Sequence, residues 1–522
     1  MTDPASGLGL LLCADRAAGS SLEEILHALR SRQPGLAVFA EPELCRHRER
    51  VAARVKDQRL EVVVVGTSHR ACARLWPEAM TRAGISPFDV HLVPLDPAAT
   101  PGRAEALLWG RLCRALIREP VPPECVKTRV FLPRGPISRR RLLTSALPRS
   151  ITVPAVDRRR CRSRQGCRRC TAACPLGALG VEAGALTLDR ARCEGCGLCV
   201  KACPVEAIRL PPYGWPQLVA EIEGVLSVPD AARIALFHCQ DAALDVPPRG
   251  LFPLALPCAG MLPVWLLLRT LAAGALAALV LPGGDRCRGW HQASALDREV
   301  RVGRMILESL GIEPDRLQVL AASQELPGAV EQAGRLAPLS VAREPLEGAF
   351  QGPARLAALV KAMADSAGVR PAGGRSSEEL PFGLVSVAGG RCTLCGVCAS
   401  VCPTSALEYR EEPGRAVLAF DGCRCDGCRA CVPVCPEKAL AVSRTLDHAA
   451  LRRPPRLLAE AAMARCGVCG REFAPIRLCQ RVQERLSPRK VGIGSPVALA
   501  RYCPACRMAV ACLAGKPVAP SR

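Results

Sequence analysis

CEGCGLCVKACP at 193–204, CTLCGVCASVCP at 392–403 and CDGCRACVPVCP at 425–436 repeat one arrangement: three cysteines at C-x2-C-x2-C, then a fourth directly before proline. A further run, CRSRQGCRRCTAACP at 161–175, keeps the same ending but opens with a five-residue gap. The runs form two close pairs. Three thiolates on a tight loop can bind three irons of one cubane, while the fourth, three residues on, reaches the other cluster of the pair. The spacing therefore assigns four [4Fe–4S] clusters. Cys161, Cys167 and Cys170 join Cys203, and Cys193, Cys196 and Cys199 join Cys174. In the second pair, Cys392, Cys395 and Cys398 join Cys435, and Cys425, Cys428 and Cys431 join Cys402. Cys423 competes with Cys425 for one iron; Cys425 is preferred because its spacing repeats that of Cys193. Zinc knuckles would show two C-x2-C halves, and disulfides would imply a secreted chain, so both fit less well.

This is the spacing of a bacterial two-cluster ferredoxin, and electron carriage is the expected role. The chain has 522 residues, enough for several cores. Its 31 cysteines in an otherwise ordinary composition point to metal, and thiols kept reduced for clusters favour the cytoplasm. The opening MTDPASGLGLLLCADR has only a short apolar run with no basic region before it, which is not a secretory signal. The twin-arginine-like SRRRLLTSA (138–146) lies far inside the chain and reads as a surface cluster. The long apolar stretch LPVWLLLRTLAAGALAALVL (262–281) is interrupted by Arg269 and Gly274 and reads as a buried helix and strand, not a membrane span. Net charge is +22. Four clusters at roughly −2 each would leave about +14, an excess able to steer an acidic redox partner. Nucleic acid is not expected, because the arginines at 158–169 lack interleaved aromatics and sit among ligands.

The predicted fold is multidomain, α/β plus α+β. Residues 1–150 alternate strand and helix patterns (GLGLLLC, SLEEILHALRSR, EVVVVGT, HRACARLWPEAMTRAG), which favours a parallel-sheet α/β domain. Dicluster ferredoxin-like modules are expected at 155–212 and 381–445. A second parallel-sheet domain is expected at 230–345, from the buried-strand runs AARIALFHC, LFPLALPC and ALAALVLPGG. Cys239 and Cys258 end two of these strands and Cys287 follows the third, so the three thiols could converge in the crevice beyond the strands' carboxyl ends. The tail at 460–515 reads as a small zinc-ribbon-like domain. CGVCG and YCPAC supply Cys466, Cys469, Cys503 and Cys506 for one zinc, although a single iron would need the same four sulfurs.

Residues 7–116 resemble the N-terminal domain of the A-type, flavin-carrying subunit of heterodisulfide reductase, through LLLCADRAAGSSLEEILHAL, AEPELCRHRERV and RLEVVVVGTSHRACARLWPEAMTRAGISPFDVHLV. Cys13 and Cys45 fall where that family has cysteines, whereas Thr67 stands where another is usual. Residues 231–325 resemble the delta subunit of methyl-viologen-reducing hydrogenase, the hydrogenase iron-sulfur subunit family. The stretches are IALFHC, LALPCAGMLPVWLLLRTLAAGALAALVLPGGDRC and VRVGRMILESLGIEPDRLQVL. That resemblance implies a [2Fe–2S] centre, with an empty docking domain or a thiol site as alternatives. Only Cys239, Cys258 and Cys287 remain of its cysteines, and Pro282 or Gly283 stands where a further ligand is expected. No G-x-G-x-x-G follows a strand, so FAD is expected from a partner.

The two resemblances imply an iron-sulfur relay subunit of a cytoplasmic oxidoreductase complex. It would pass electrons between a flavoprotein, hydrogenase or formate dehydrogenase partner and a heterodisulfide reductase-like acceptor, without catalysis of its own. Two alternatives are a thiol- or disulfide-reducing enzyme built on the 230–345 cysteines and a docking scaffold. No catalytic residue is assigned; His238, beside Cys239, is the one histidine to test and reads as structural.

Overall fold

In the computed structural model, the described residues are 7–14, 19–42, 44–67, 75–95, 100–130, 148–229, 231–240, 250–283, 293–339, 341, 352–369, 374–486 and 500–513. The chain forms two compact units. One comprises Met1–Cys161, Arg168–Pro345 and Ala362–Val369; the other comprises Arg162–Cys167, Leu346–Lys361 and Arg370–Arg522.

In the first unit, β1 (Leu8–Ala14), β2 (Ala37–Pro42), β3 (Val62–Thr67) and β4 (Val90–Pro94) form a parallel sheet in the order β2-β1-β3-β4. Both faces are covered, which is why LGLLLC and VVVV are continuously apolar. Leu10, Leu12, Val62 and Val64 pack against the Gly19–Arg32 and Pro101–Leu116 helices through Ile25, Leu29, Leu108 and Leu112. Leu11, Val63 and Val65 meet the Arg48–Asp57 and Trp76–Arg82 helices through Val51, Val55, Trp76 and Met80.

After the hairpin of β5 (Val126–Val130) and β6 (Pro148–Thr152) comes a small module. In it β7 (Ala155–Val156) pairs antiparallel with β10 (Ile208–Arg209), enclosing the hairpin of β8 (Leu179–Glu182) and β9 (Ala185–Leu188). A second parallel sheet follows, built from β11 (Ile234–Cys239), β12 (Leu251–Leu256), β13 (Ala277–Leu281) and β14 (Leu317–Val319) in the order β12-β11-β13-β14. Both sheets thus place their second strand outside the first and then add strands on the other side. The apolar stretch at 262–281 divides into the Val264–Ala272 helix and β13, as its sequence predicts. Among the described residues no helix is long and apolar enough to cross a membrane.

The second unit pairs β16 (Gly383–Val387) with β19 (Leu440–Leu446), which also takes the short β15 (Arg375–Ser376) on its other edge. The hairpin of β17 (Leu407–Glu412) and β18 (Arg415–Phe420) extends through the long β20 (Arg456–Arg465) to β21 (Glu472–Pro475). The molecule is therefore a mixed α/β assembly with two parallel sheets and two small antiparallel modules.

The two α/β domains meet through the Pro101–Leu116 helix and Trp215–Leu226, the helix that precedes β11. Glycines set this contact. A Cβ on Gly110 would lie 2.4 Å from Val225 Cγ2 and 2.7 Å from the Glu221 carbonyl oxygen, and one on Gly224 would lie 2.9 Å from Gly110 Cα. Beside the crossing, Arg114 pairs with Glu221 at 2.7 Å and Arg111 with the same carboxylate at 3.0 Å. Both partners of the Arg114 pair are 4% exposed, so the interaction fixes register more than it stabilises. Gly110→Ala is expected to lower the thermal unfolding midpoint by the equivalent of about 1–3 kcal/mol through overpacking. Gly328→Ala, in a helix where the new Cβ meets nothing within 4 Å, should leave the midpoint unchanged or raise it.

Candidate iron-sulfur and metal sites

Three of the four cysteine loops share one backbone form. In each, the residues before and after the second cysteine are left-handed: Gly195 (φ +67°) and Gly197 (+76°), Leu394 (+57°) and Gly396 (+74°), Gly427 (+69°) and Arg429 (+61°). Successive left-handed turns curl the chain around a centre and aim the flanking thiols inward. The 161–170 loop departs from this form. Gly166 is left-handed (+87°), but Arg168, after Cys167, has φ −129°.

Each Cys-Pro pair opens a second repeated device that the cysteine spacing alone does not reveal. The sulfur accepts a hydrogen bond from the backbone N–H four residues on: Ala178 to Cys174 (3.3 Å), Ala207 to Cys203 (3.2 Å), Ala406 to Cys402 (3.3 Å) and Ala439 to Cys435 (3.3 Å). The intervening residue is left-handed every time: Gly177, Glu206, Ser405 and Lys438. Its signal was present as Cys-Pro-x-x-Ala at all four places. Such N–H···S bonds orient a ligand and tune the potential of the group it holds.

The sulfurs gather across the loops. Cys193, Cys196 and Cys199 line one cavity with Cys174, together with Leu179, Leu188 and Leu198. Cys392, Cys395 and Cys398 line another with Cys435, beside Leu394 and Tyr409. Cys425 feels the charge of Cys402 and Cys428, and Cys431 that of Cys402 before Cys435. Cys423 stands apart from this set: its thiol donates to the Leu451 carbonyl at 3.3 Å. For the remaining set, Cys170 is felt by Cys199 and the Cys203 sulfur is held by Ala207. The Cys161 N–H bonds the Asp157 carbonyl, and that of Cys167 bonds Arg162.

Burial pushes the thiols up, with the neighbouring sulfurs adding to it: Cys196 to about 11, Cys398 to about 12, Cys425 to about 12 and Cys431 to about 11. Partly buried sulfurs crowded together with fixed N–H donors disfavour bare thiolates. They suit a cationic iron core that takes their charge, so the three gathered sets fit [4Fe–4S] clusters.

In the tail, the Sγ atoms of Cys466, Cys469, Cys503 and Cys506 all lie within 4.8 Å of one another, with Cys469 and Cys503 at 3.8 Å. Backbone N–H groups of Cys469 and Cys503 hold Cys466 below its ordinary range, whereas Cys506 is raised because it shares its proton with Cys469 and Cys503. The donor set suits one tetrahedral metal.

In the second α/β domain Cys239 and Cys258 are both buried, and the Ala259 N–H donates to Cys239 Sγ at 3.1 Å. Cys287 lies outside the described residues, as does 138–146. His238, partly buried near the end of β11, bonds the Cys239 carbonyl through Nδ1, and burial lowers its pKa. Met261, three residues after Cys258, packs against the cysteine loop: a Cβ on Gly197 would meet its Sδ at 3.0 Å. In the first domain Cys13 of β1 lies opposite Thr67 of β3, and Cys13 and Cys45 share one apolar cluster.

Residues 391–439 match the 4Fe-4S dicluster domain family and residues 186–209 the 4Fe-4S binding domain family. No curated protein matches the chain. The chain thus carries two ferredoxin-type 4Fe–4S domains, which suggest an iron-sulfur electron-transfer role. Cys425→Ser is expected to remove about four irons per chain, and Cys423→Ser to leave iron content unchanged, both read by iron and sulfide analysis.

Proposed function

We propose that the chain is the iron-sulfur electron-transfer subunit of a cytoplasmic oxidoreductase complex. It would link a flavoprotein, hydrogenase or formate dehydrogenase partner to a heterodisulfide reductase-like acceptor. The observation that supports this reading is that in three sets a Cys-Pro cysteine lies with the three cysteines of the opposite loop, and that every Cys-Pro sulfur accepts a backbone N–H. When bound, a [4Fe–4S] cluster supplies one-electron transfer at a potential set by hydrogen bonding, charge and exposure. The residues would do the rest: the gathered sulfur sets would hold the clusters, and apolar side chains such as Leu198, Leu394 and Tyr409 exclude water from two of the cages. Basic surface outside the sites favours an acidic partner.

Zinc is proposed for the Cys466 quartet. Cys466 is lowered from 9.0 to about 6 by backbone N–H groups, so its contribution is complete above the unfolded thiol value, declines as pH falls below it and is gone below about 6. Metal retained by the tail after dialysis is therefore expected to fall on acidification, as measured by zinc analysis.

A second reading has an observation of its own. The Ala259 N–H on Cys239 and the packing of Met261 on the cysteine loop would suit a thiol- or [2Fe–2S]-bearing site at Cys239 and Cys258, placed to exchange electrons with the first module. Reduction of a small disulfide by the isolated chain, lost in Cys258→Ser, would favour it.

The deciding experiment is iron, sulfide and EPR analysis of the anaerobically purified, reduced chain. About sixteen irons with interacting [4Fe–4S] signals are expected, and Cys196→Ser should lose one signal and slow electron transfer to an artificial acceptor. Unchanged iron and unchanged transfer in that variant would sink the reading.

A further inference from the structure

The Ile476–Leu486 helix of the second unit buries none of its side chains fully, and eleven residues make a helix that is marginal on its own. It leans on β20 and β21, and its other anchors are polar. Arg477, Arg481 and Arg485 stand four residues apart and so share one face. All three meet the loops around the set of Cys392, Cys395, Cys398 and Cys435. Arg477 Nη1 donates to the Gly389 carbonyl at 2.9 Å, three residues before Cys392. Arg481 Nε and Arg485 Nη2 donate to the two carboxylate oxygens of Glu437, at 2.9 and 2.7 Å, two residues after Cys435.

Glu437 lines the cavity of that set, and among the lining residues it alone is a carboxylate or a cation. Its side chain is only 10% exposed. A carboxylate so placed works against electron entry and is costly to bury unpaired. Two guanidiniums cover it. Arg481 also reaches Glu484 at 2.9 Å, while Arg477 has no carboxylate partner among the described residues. Burial pushes the Cys392 thiol up, and Arg477 is the cation that pulls against it.

The same helix is bracketed by the sulfurs of the tail. Cys466 and Cys469 precede it, with β21 between, and Cys503 and Cys506 follow it. Closing that quartet on one ion therefore closes the loop of chain that carries the three arginines. The Pro504–Leu513 helix bears Cys506 and Arg507, and the Arg507 charge reaches Cys479 of the arginine-bearing helix, opposing the larger effect of burial on that thiol. A helix without a buried side chain has little else to fix it once this bracket opens.

We propose that this helix is an electrostatic strap: with the four sulfurs of the tail closed on a metal, Arg477, Arg481 and Arg485 are held on the loops of the Cys392 set and raise the potential of the cluster bound there. The strap rests on the reading of both sulfur sets as occupied. Opening the tail withdraws guanidiniums from the wall, whether Glu437 then stays ionised or takes up a proton. The set loses positive charge, and its cluster becomes harder to reduce. Metal in the tail thereby sets the driving force of one electron-transfer step.

The test is an EPR-monitored redox titration of the full, cluster-loaded chain, purified anaerobically. Cys395→Ser first identifies the signal of the Cys392 set by removing it, together with about four irons. In the double variant Arg481→Gln/Arg485→Gln, iron content is expected to hold while that signal alone shifts to lower potential. Arg481→Lys/Arg485→Lys, which keeps the charge, should stay at the parent value. Cys503→Ser/Cys506→Ser is expected to lose the tail metal, keep its iron and move the same signal in the same direction. Trypsin should also cut it after Arg481 or Arg485 at least tenfold faster than the parent, as read by mass spectrometry. Should the double glutamine variant lose iron, Arg477→Gln, which gives up only the Gly389 contact, and the trypsin rates decide. An unmoved potential in the glutamine variants, or loss of the tail metal with potential and cutting unchanged, would overturn the strap. Failure of the underlying reading looks different: Cys395→Ser would leave the iron content unchanged, or the parent chain would hold no metal in its tail, and either result overturns the strap as well.

Discussion

The structure depends on an exchange of sulfur between loops. In the three gathered sets, a loop supplies three cysteines and its partner run supplies the fourth, so no loop completes a set alone. Everything local follows from that demand. The second cysteine must lie between two left-handed residues for its loop to curl, and the exchanged cysteine must leave on a tight Cys-Pro turn. Leu394, Glu206, Ser405, Arg429 and Lys438 adopt positive φ without being glycine. Strain of this kind, of order 1 kcal/mol or more per residue, persists only where the surroundings over-determine the backbone. Here the over-determination comes from thiols that must converge and from N–H groups already committed to sulfur.

Much of this was legible because the constraint is local. Cysteine spacing is sequence spacing, so the pairing of Cys174 with the Cys193 loop and of Cys435 with the Cys392 loop could be read before any fold was known. The strand runs EVVVVGT and AARIALFHC were equally plain, since burial on both faces removes polar alternation. What was not legible depends on surfaces that meet from far apart. Gly110 and Gly224 belong to no sequence motif, and their purpose exists only where two helices cross. Arg477, Arg481 and Arg485 carried no motif, because the Gly389 carbonyl and the Glu437 carboxylate that they meet are distant in sequence. The Cys-Pro-x-x-Ala repeat lay in plain view, but alanine offers no chemistry of its own. Only the backbone N–H gives it a role.

The two α/β domains share more than a class. Each orders its strands second, first, third, fourth, which leaves a crevice at the carboxyl ends between the first and third. Cys13 and Cys239 lie at or next to the ends of the two first strands, and in each domain a further cysteine, Cys45 or Cys258, follows the second strand in or beside a short 3-10 turn. The correspondence places thiols at the same topological corner twice. The second corner is packed against a cysteine loop, through Met261.

Charge is arranged around the ligand loops with the same economy. Lys127 Nζ donates to the carbonyls of Arg190 and Ala191 at 2.8 Å and of Cys193 at 3.2 Å. Arg444 caps the Gly427 carbonyl at 3.1 Å, and Arg477 that of Gly389 at 2.9 Å. These cations are bound to backbone oxygens rather than to carboxylates. Lys127 lowers the proton affinity of Cys193, and Arg477 does the same for Cys392, against the larger effect of burial. A cation fixed beside a thiolate set favours its more negative state, whether that state arises by loss of a proton or by gain of an electron. Part of the net +22 is therefore structural charge, held on backbone oxygens of the cysteine loops.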